Sequence, residues 1–212
     1  MHRLISFVLN FFLNYAVYQR IVSKMDIVRS FWLKPYFKGL GKCSRIGKIG
    51  RLTGLKFIRI GSNTVLQEFF FLTAWENKEY MAEGKMPELT IGDNCNLGAF
   101  GHISCSNKII IGNNCLIGKC VTITDNYHGN TDLASLQCSP ARRPIYSKGP
   151  VVIEENVWIG DKATILPNVH VGKNAIIGAN SVVTHDVPAF AVVAGNPAKV
   201  IKCLKEIDKD EK

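Results

Sequence analysis

The chain has 212 residues, 47% hydrophobic and 20% charged, which suits one globular domain with a sizeable core and excludes a disordered or fibrous chain. Its net charge is +9, and the first forty residues hold six Lys or Arg (Arg3, Arg20, Lys24, Arg29, Lys34, Lys38) against one acid, Asp26. That local excess points to an acidic membrane surface or an anionic substrate; without any nucleic-acid motif, no nucleic-acid partner is expected.

Residues 4–22 are apolar but interrupted by Asn10, Asn14, Gln19 and Arg20, too broken to span a bilayer and without a signal-peptide cleavage site. Residues 3–34 are expected to form one or two amphipathic helices, within a helical segment 1–40. These either pack on the end of the domain or lie at an anionic lipid surface with Arg20, Lys24 and Arg29 facing it. Pro35 and Gly39 mark the turn that follows.

From Ile46 a six-residue rhythm begins, with the first coils expected over 41–67 and a phase slip at Ile58 and Arg59. Residues 68–88 break it with an excursion rich in aromatics and acids, either a plug on the coil or a wall of an acceptor pocket. The rhythm returns at Ile91, slips again at Ile109 and Ile110, and reaches ITDNYH. Residues 129–150 carry no period, and a loop of that length in a compact domain is usually functional. The clearest stretch runs from Ile153 to Pro188, where Ile153, Ile159, Ile165, Val171, Ile177 and Val183 recur at every sixth place. A period of six fits neither helix nor simple strand; it is the mark of a parallel β-helix in which three short strands and three turns make one triangular coil. The main β-helix is thus expected over 89–188, and 189–212 as a closing strand followed by a short helix from Lys199 to Asp208. Of seven cysteines none forms a CxxC pair; Cys95 and Cys115 fall at the small inward slot, and Cys120 at a surface turn, which suits a reducing cytoplasm.

Repeats describe a scaffold, so function must be argued from side chains. Of the five histidines, His128 stands out, because it lies at the mouth of the aperiodic loop and not on an inward position. His170 takes an outward position expected to be solvated, His185 lies in the last full hexapeptide, and His102 is ambiguous. No two histidines lie within fourteen residues of each other, so no metal site is expected.

The segment VTITDNYHG, the loop, and VVIEENVWIGDKATILPNVHVGKNAIIGANSVVTHDVPAFAVVAGNPAKVIK together resemble the hexapeptide-repeat acetyltransferases, most of all the galactoside, maltose, O-antigen and capsule sugar O-acetyltransferases. The resemblance is specific over about residues 91–202. It implies an all-β fold, a left-handed parallel β-helix, and a homotrimer with acetyl-CoA bound in a groove between neighbouring coils. It implies His128 as general base and the Asp161 backbone N–H as donor to the thioester oxygen. Trp158, Gly160, Asp161, Ala179, Thr184, His185, Lys199 and Lys202 match positions that hold the coenzyme. Asp125, Asn126 and Arg142, at and in the loop, are the acceptor-binding candidates. Family members place an Asn on the coil before the histidine, where Phe100 stands here, so the acceptor mode is expected to differ. The expected function is acetylation of a sugar hydroxyl in a cell-surface polysaccharide or its precursor, in the cytoplasm or at the inner face of the membrane. The alternatives are N-acetylation of an amino sugar, a serine-type O-acetyltransferase, and a β-helix scaffold without catalysis.

Overall fold

The computed structural model describes residues 2–3, 5–7, 14–76 and 86–204. From Gly39 onward the chain winds into a three-sided column of parallel strands. The first face stacks the strands at residues 39–40, 58–60, 88–91, 108–111, 151–153 and 170–171. The second stacks 45–46, 65–66, 96–97, 116–117, 158–159, 176–177 and 191–194, and the third 49–53, 70–74, 102–105, 122–124, 164–165 and 182–183. Successive coils are bonded backbone to backbone, which satisfies polar groups that a buried turn would otherwise strand.

The six-residue aliphatics stack in register. Ile60, Ile91, Ile111, Ile153 and Val171 are successive partners on the first face, and Leu97, Ile117, Ile159 and Ile177 on the second. All are essentially inaccessible to solvent, and they line one continuous apolar core. Cys95 and Cys115 are buried at the small slot of their corners, as the rhythm predicts.

Most corners close through a residue in the left-handed region. Asn63, Asn94, Asn114, Asn156 and Asn174 take it at the first edge, with φ between 55° and 58°. Asn tolerates this conformation because its short amide bonds locally. Here those amides form a ladder, Asn63 Nδ2 donating to Asn94 Oδ1 at 3.3 Å and Asn94 Nδ2 to Asn114 Oδ1 at 3.2 Å.

Both phase slips turn out to be constructive. Ile58 and Ile109 are fully buried, alternating with outward Arg59 and Ile110, so the two added residues lengthen the first-face strand by one inward position. The excursion is shorter than the expected 68–88. Phe70–Ala74 is a regular third-face strand, with Phe70, Leu72 and Ala74 inward, and the chain leaves the column only after it. Period two carries this strand where the six-residue count fails. Residues 77–85 of that expectation lie outside the described residues.

The two ends are closed differently. The expected C-terminal helix is corrected: Lys199–Cys203 is a strand, antiparallel to Ala191–Ala194. Its sequence, KVIKC, pairs with the last second-face strand and covers an edge that would otherwise remain open. Residues 205–208 of that expected helix lie outside the described residues. At the other end the helical expectation holds for Tyr15–Leu33, here α1, which is capped by the Asn14 side chain and packs on the first coil through Ser30 and Leu33.

Candidate active site

Both departures from the rhythm leave the column at one edge, the third, where the third face turns back to the first. The chain departs after Ala74 and again at Asp125, and Ser104–Asn107 of the coil between forms the corner that separates them. Trp75 Nε1 donates to Ser104 Oγ at 2.9 Å, and Asn126 Nδ2 donates to Ser104 O at 2.9 Å. The start of each excursion is therefore tied to the same serine.

Asp125 has no exposed surface. Its carboxylate accepts from Ser106 N at 2.8 Å, Asn107 N at 2.9 Å and Asn126 Nδ2 at 2.8 Å. A buried carboxylate needs such donors, and here they leave it no access to an acceptor molecule. Asp125 is thus a pin for the corner and not an acceptor-binding group, which corrects the expectation. Asn126, half-buried, is likewise engaged with Ser104.

Beyond that pin, Tyr127–His128 pairs antiparallel with Ile145–Tyr146, and His128 sits opposite Ile145. This two-stranded ribbon projects the His128 ring to solvent. Partial burial raises the pKa of the Tyr127 phenol, the residue before His128, above its ordinary value, so it stays a neutral hydroxyl. The loop is folded by Arg143, whose side chain donates to Cys138 O at 2.9 Å and lies against Gly129. Gly129 has φ 82°, a conformation that favours glycine. Arg142, the expected acceptor group, is exposed in a 3₁₀ turn over Pro140–Arg142. Nothing in the sequence separated the two adjacent arginines; only the fold of the loop does.

The coenzyme candidates fall on two edges. Trp158 opens a second-face strand with its ring half exposed, and Gly160, Asp161 and Ala179 follow at the second edge. Lys199 and Lys202 are exposed on the closing strand of the same face, opposite Ala194 and Val192. Thr184 and His185 lie instead at the third edge, on the side of His128, with Thr184 Oγ1 and His185 Nδ1 2.8 Å apart. Phe100 stands at the second edge, where it stacks on Phe69 with ring centroids 5.3 Å apart. His170 is not simply solvated, since Glu154 Oε1 lies 2.9 Å from its Nε2. Cys120 is exposed in a turn with φ 56°.

At the second edge a side-chain ladder sets Asp161 apart. Lys119 N donates to Asp161 Oδ1 at 2.8 Å, so the Asp161 carboxylate caps the corner of the coil before it, and only glycine at 118 leaves room for it. The same device recurs at the first edge, from Ser62 N to Asp93 and from Asp93 N to Asn113. The residue stacked beyond Asp161 is Ala179, whose methyl accepts nothing. Among the described residues the Asp161 N–H therefore has no acceptor, and it belongs to an exposed residue of the turn. That turn, Gly160–Ala163, has Ala163 N bonded back to Gly160 O and Lys162 at φ 60°, the pattern of a type II turn.

Residues 150–185 match the model described as bacterial transferase hexapeptide (six repeats), and residues 88–100 and 108–124 match that of the hexapeptide repeat of succinyl-transferase. The chain carries hexapeptide repeats and is similar to the hexapeptide-repeat acetyltransferases. A putative lipopolysaccharide biosynthesis O-acetyl transferase from Escherichia coli is 38% identical over 114 residues, 52% of this chain and 58% of that protein. A 2,3,4,5-tetrahydropyridine-2,6-dicarboxylate N-acetyltransferase from Staphylococcus aureus is 56% identical over 66 residues, 31% of this chain and 28% of its own. The chain thus spans less than two thirds of either relative. Among solved structures, a hexapeptide-repeat containing acetyltransferase from Vibrio cholerae superposes with TM-score 0.57 at 26% identity, covering 85% of this chain and 82% of that one. An N-acyltransferase from Bacillus cereus, in complex with dTDP and 3-hydroxybutyryl-CoA, superposes with TM-score 0.66 at 20% identity, over 84% and 88%. The second likeness is one of fold.

Proposed function

We propose that this protein transfers the acetyl group of acetyl-CoA to a hydroxyl of a sugar in a cell-surface polysaccharide or its precursor. The relatives support acyl transfer to sugar-related acceptors, and the hexapeptide-repeat acetyltransferase from Vibrio cholerae has also been solved complexed with acetyl-coenzyme A. The observation that carries the reading is the division of the site residues between two edges of the column. His128, Thr184 and His185 are on the third edge; Trp158, Gly160, Asp161 and Ala179 are on the second. Within one column these edges are separated by a whole face, so the site closes only when the third edge of one protomer meets the second edge of a neighbour. A closed ring of copies pairs both edges of every protomer, and the homotrimer that the resemblance implies is such a ring.

The coenzyme lies along that seam. Trp158 flanks its thioester arm, and Lys199 and Lys202 meet its phosphates. A sugar hydroxyl is un-ionised near neutral pH, so His128 takes its proton as the oxygen attacks the thioester carbonyl. Negative charge then develops on the carbonyl oxygen, and the unpaired Asp161 N–H is a donor already in place for it. The carbon–sulfur bond breaks, the thiolate leaves and takes the proton from His128, and the acetyl ester remains on the sugar. The acceptor enters between the two excursions at the third edge, where Trp75 offers an aromatic wall.

Subunit complementation tests this arrangement. Chains carrying His128→Ala and chains carrying Asp161→Pro are each expected to be inactive. Co-expressed, they rebuild about a quarter of the sites on random assortment, since a seam needs one good edge from each chain. No recovery in verified mixed oligomers would overturn the shared site. The match to an N-acetyltransferase favours a second reading, with an amine as acceptor. Identifying the linkage in the product, ester or amide, decides between them.

A further inference from the structure

Helix α1 is amphipathic the wrong way round for a helix that serves only its own domain. Its protected stripe is Val22, Ser23, Asp26, Arg29, Ser30 and Leu33, four of the six polar. The contact is made by hydrogen bonds: Ile46 N donates to Ser30 Oγ at 2.8 Å, and Arg29 donates to Ile46 O at 3.0 Å and to Asp26 at 2.7 Å. Most of the apolar residues point away. Val28 is 68% exposed, Phe31 81% and Trp32 61%, and Tyr18, Ile21 and Met25 continue the same surface. A helix normally turns its apolar arc to the core, so this arc is shaped for a second apolar phase.

The charge around it says which phase. Residues 1–67 hold twelve Lys or Arg and a single acid, whereas residues 68–212 hold fourteen against sixteen. That acid, Asp26, is already paired with Arg29, and Glu68 shares a cleft with Tyr18, Met25 and Lys48. Arg20, Lys24 and Lys34 flank the apolar arc, and Lys38, Lys42, Arg45 and Lys48 lie on the coil beneath. A second copy of the chain would bring the same positive field against itself. An anionic bilayer instead accepts the apolar side chains below its headgroups and the basic ones among them. Tyr15, Tyr18, Trp32 and Tyr36, all exposed, are the amphipathic aromatics that settle at that boundary. The helix is about 28 Å long and would lie in the plane. Among the described residues no helix is long and apolar enough to cross a membrane.

We infer that α1 is a peripheral anchor that lays the basic end of the column on an anionic lipid surface. The inference does not depend on acetyl transfer. Full-length protein is sedimented with phosphatidylcholine vesicles with and without phosphatidylglycerol. Bound protein is expected to rise at least tenfold with the anionic lipid and to fall with added salt. The combined change Val28→Ser, Phe31→Ser and Trp32→Ser leaves Ser30 and Leu33 in place, so the helix stays docked. It should cut binding at least tenfold with an unchanged circular dichroism spectrum. Arg20→Glu with Lys24→Glu should remove most of the preference for anionic lipid. Three outcomes would overturn the anchor: no binding to anionic vesicles; equal binding by the triple variant; or dissociation of the oligomer by that variant with lipid binding intact, which would make the arc a contact between copies.

Discussion

Along the second edge the corners Gly118–Val121, Gly160–Ala163 and Gly178–Ser181 each close in four residues, whereas the third edge lets out residues 75–87 and 125–150 between the same two faces. The second edge offers backbone: its turns are held by stacking and a side-chain ladder, and in two of them the second-place N–H, at Asp161 and at Ala179, has no acceptor among the described residues. The third edge offers side chains on inserted chain, pinned by the buried Asp125. A rigid repeat can place an oxyanion donor to within tenths of an ångström, but its outward positions are too regular to surround a varied acceptor. Insertions supply that variety and need their own anchor.

The comparison is tested most severely at His128. His128→Ala should lower kcat at least 100-fold while acetyl-CoA still binds, as expected for loss of a general base. Turnover near that of the unaltered chain would remove the third edge from the chemistry. At the second edge, side chain and backbone can be separated. Asp161→Pro deletes the N–H but suits the second place of a type II turn, and Pro167 already stands at the equivalent place before Asn168, φ 63°. Asp161→Pro should cost about 100-fold in kcat, and Asp161→Ala, which keeps the N–H, only a few-fold. Equal losses would mean that the carboxylate, and not the backbone, matters.

Asp125→Ala leaves two buried backbone donors at the Ser106–Asn107 corner without an acceptor. It should destabilise the fold by about 3 kcal/mol in a urea titration and slow turnover by freeing the ribbon that carries His128. A fully stable variant would show that the loop is anchored elsewhere. The smallest effect is expected at His102, set edge-on to Phe71 at 6.4 Å, where desolvation lowers the imidazole pKa. The unfolded chain then binds the proton more readily, so this contribution is complete above the ordinary imidazole range and fades as pH falls through it. The residue keeps exposed surface, so His102→Gln should flatten the acid limb of the stability curve only slightly.

How much was legible varied with how local the cause was. The column could be read from spacing because each hexapeptide satisfies itself with its immediate neighbours: an inward aliphatic, a small corner residue, an Asn or Gly where φ turns positive. Ile153, Ile159, Ile165 and their successors stack as their spacing requires. Where chain was inserted, counting by six lost its meaning. Phe70–Ala74 read as part of an excursion because its strand keeps period two. Lys199–Cys203 read as helix because its partner strand was not yet in view. Asp125 read as an acceptor ligand because a carboxylate beside a loop histidine gives no sign, in sequence, of the two N–H groups that occupy it.

By itself, then, the order of residues determined the column, its apolar interior and the presence of one histidine outside the rhythm. Folding in three dimensions decided which edge each of those groups occupies, which carboxylate is buried, and which way α1 turns its apolar arc. The physical reason is range: a repeat is written by contacts one coil away, but an edge, a pin or an outward-facing helix depends on groups that meet only after the whole chain has wound.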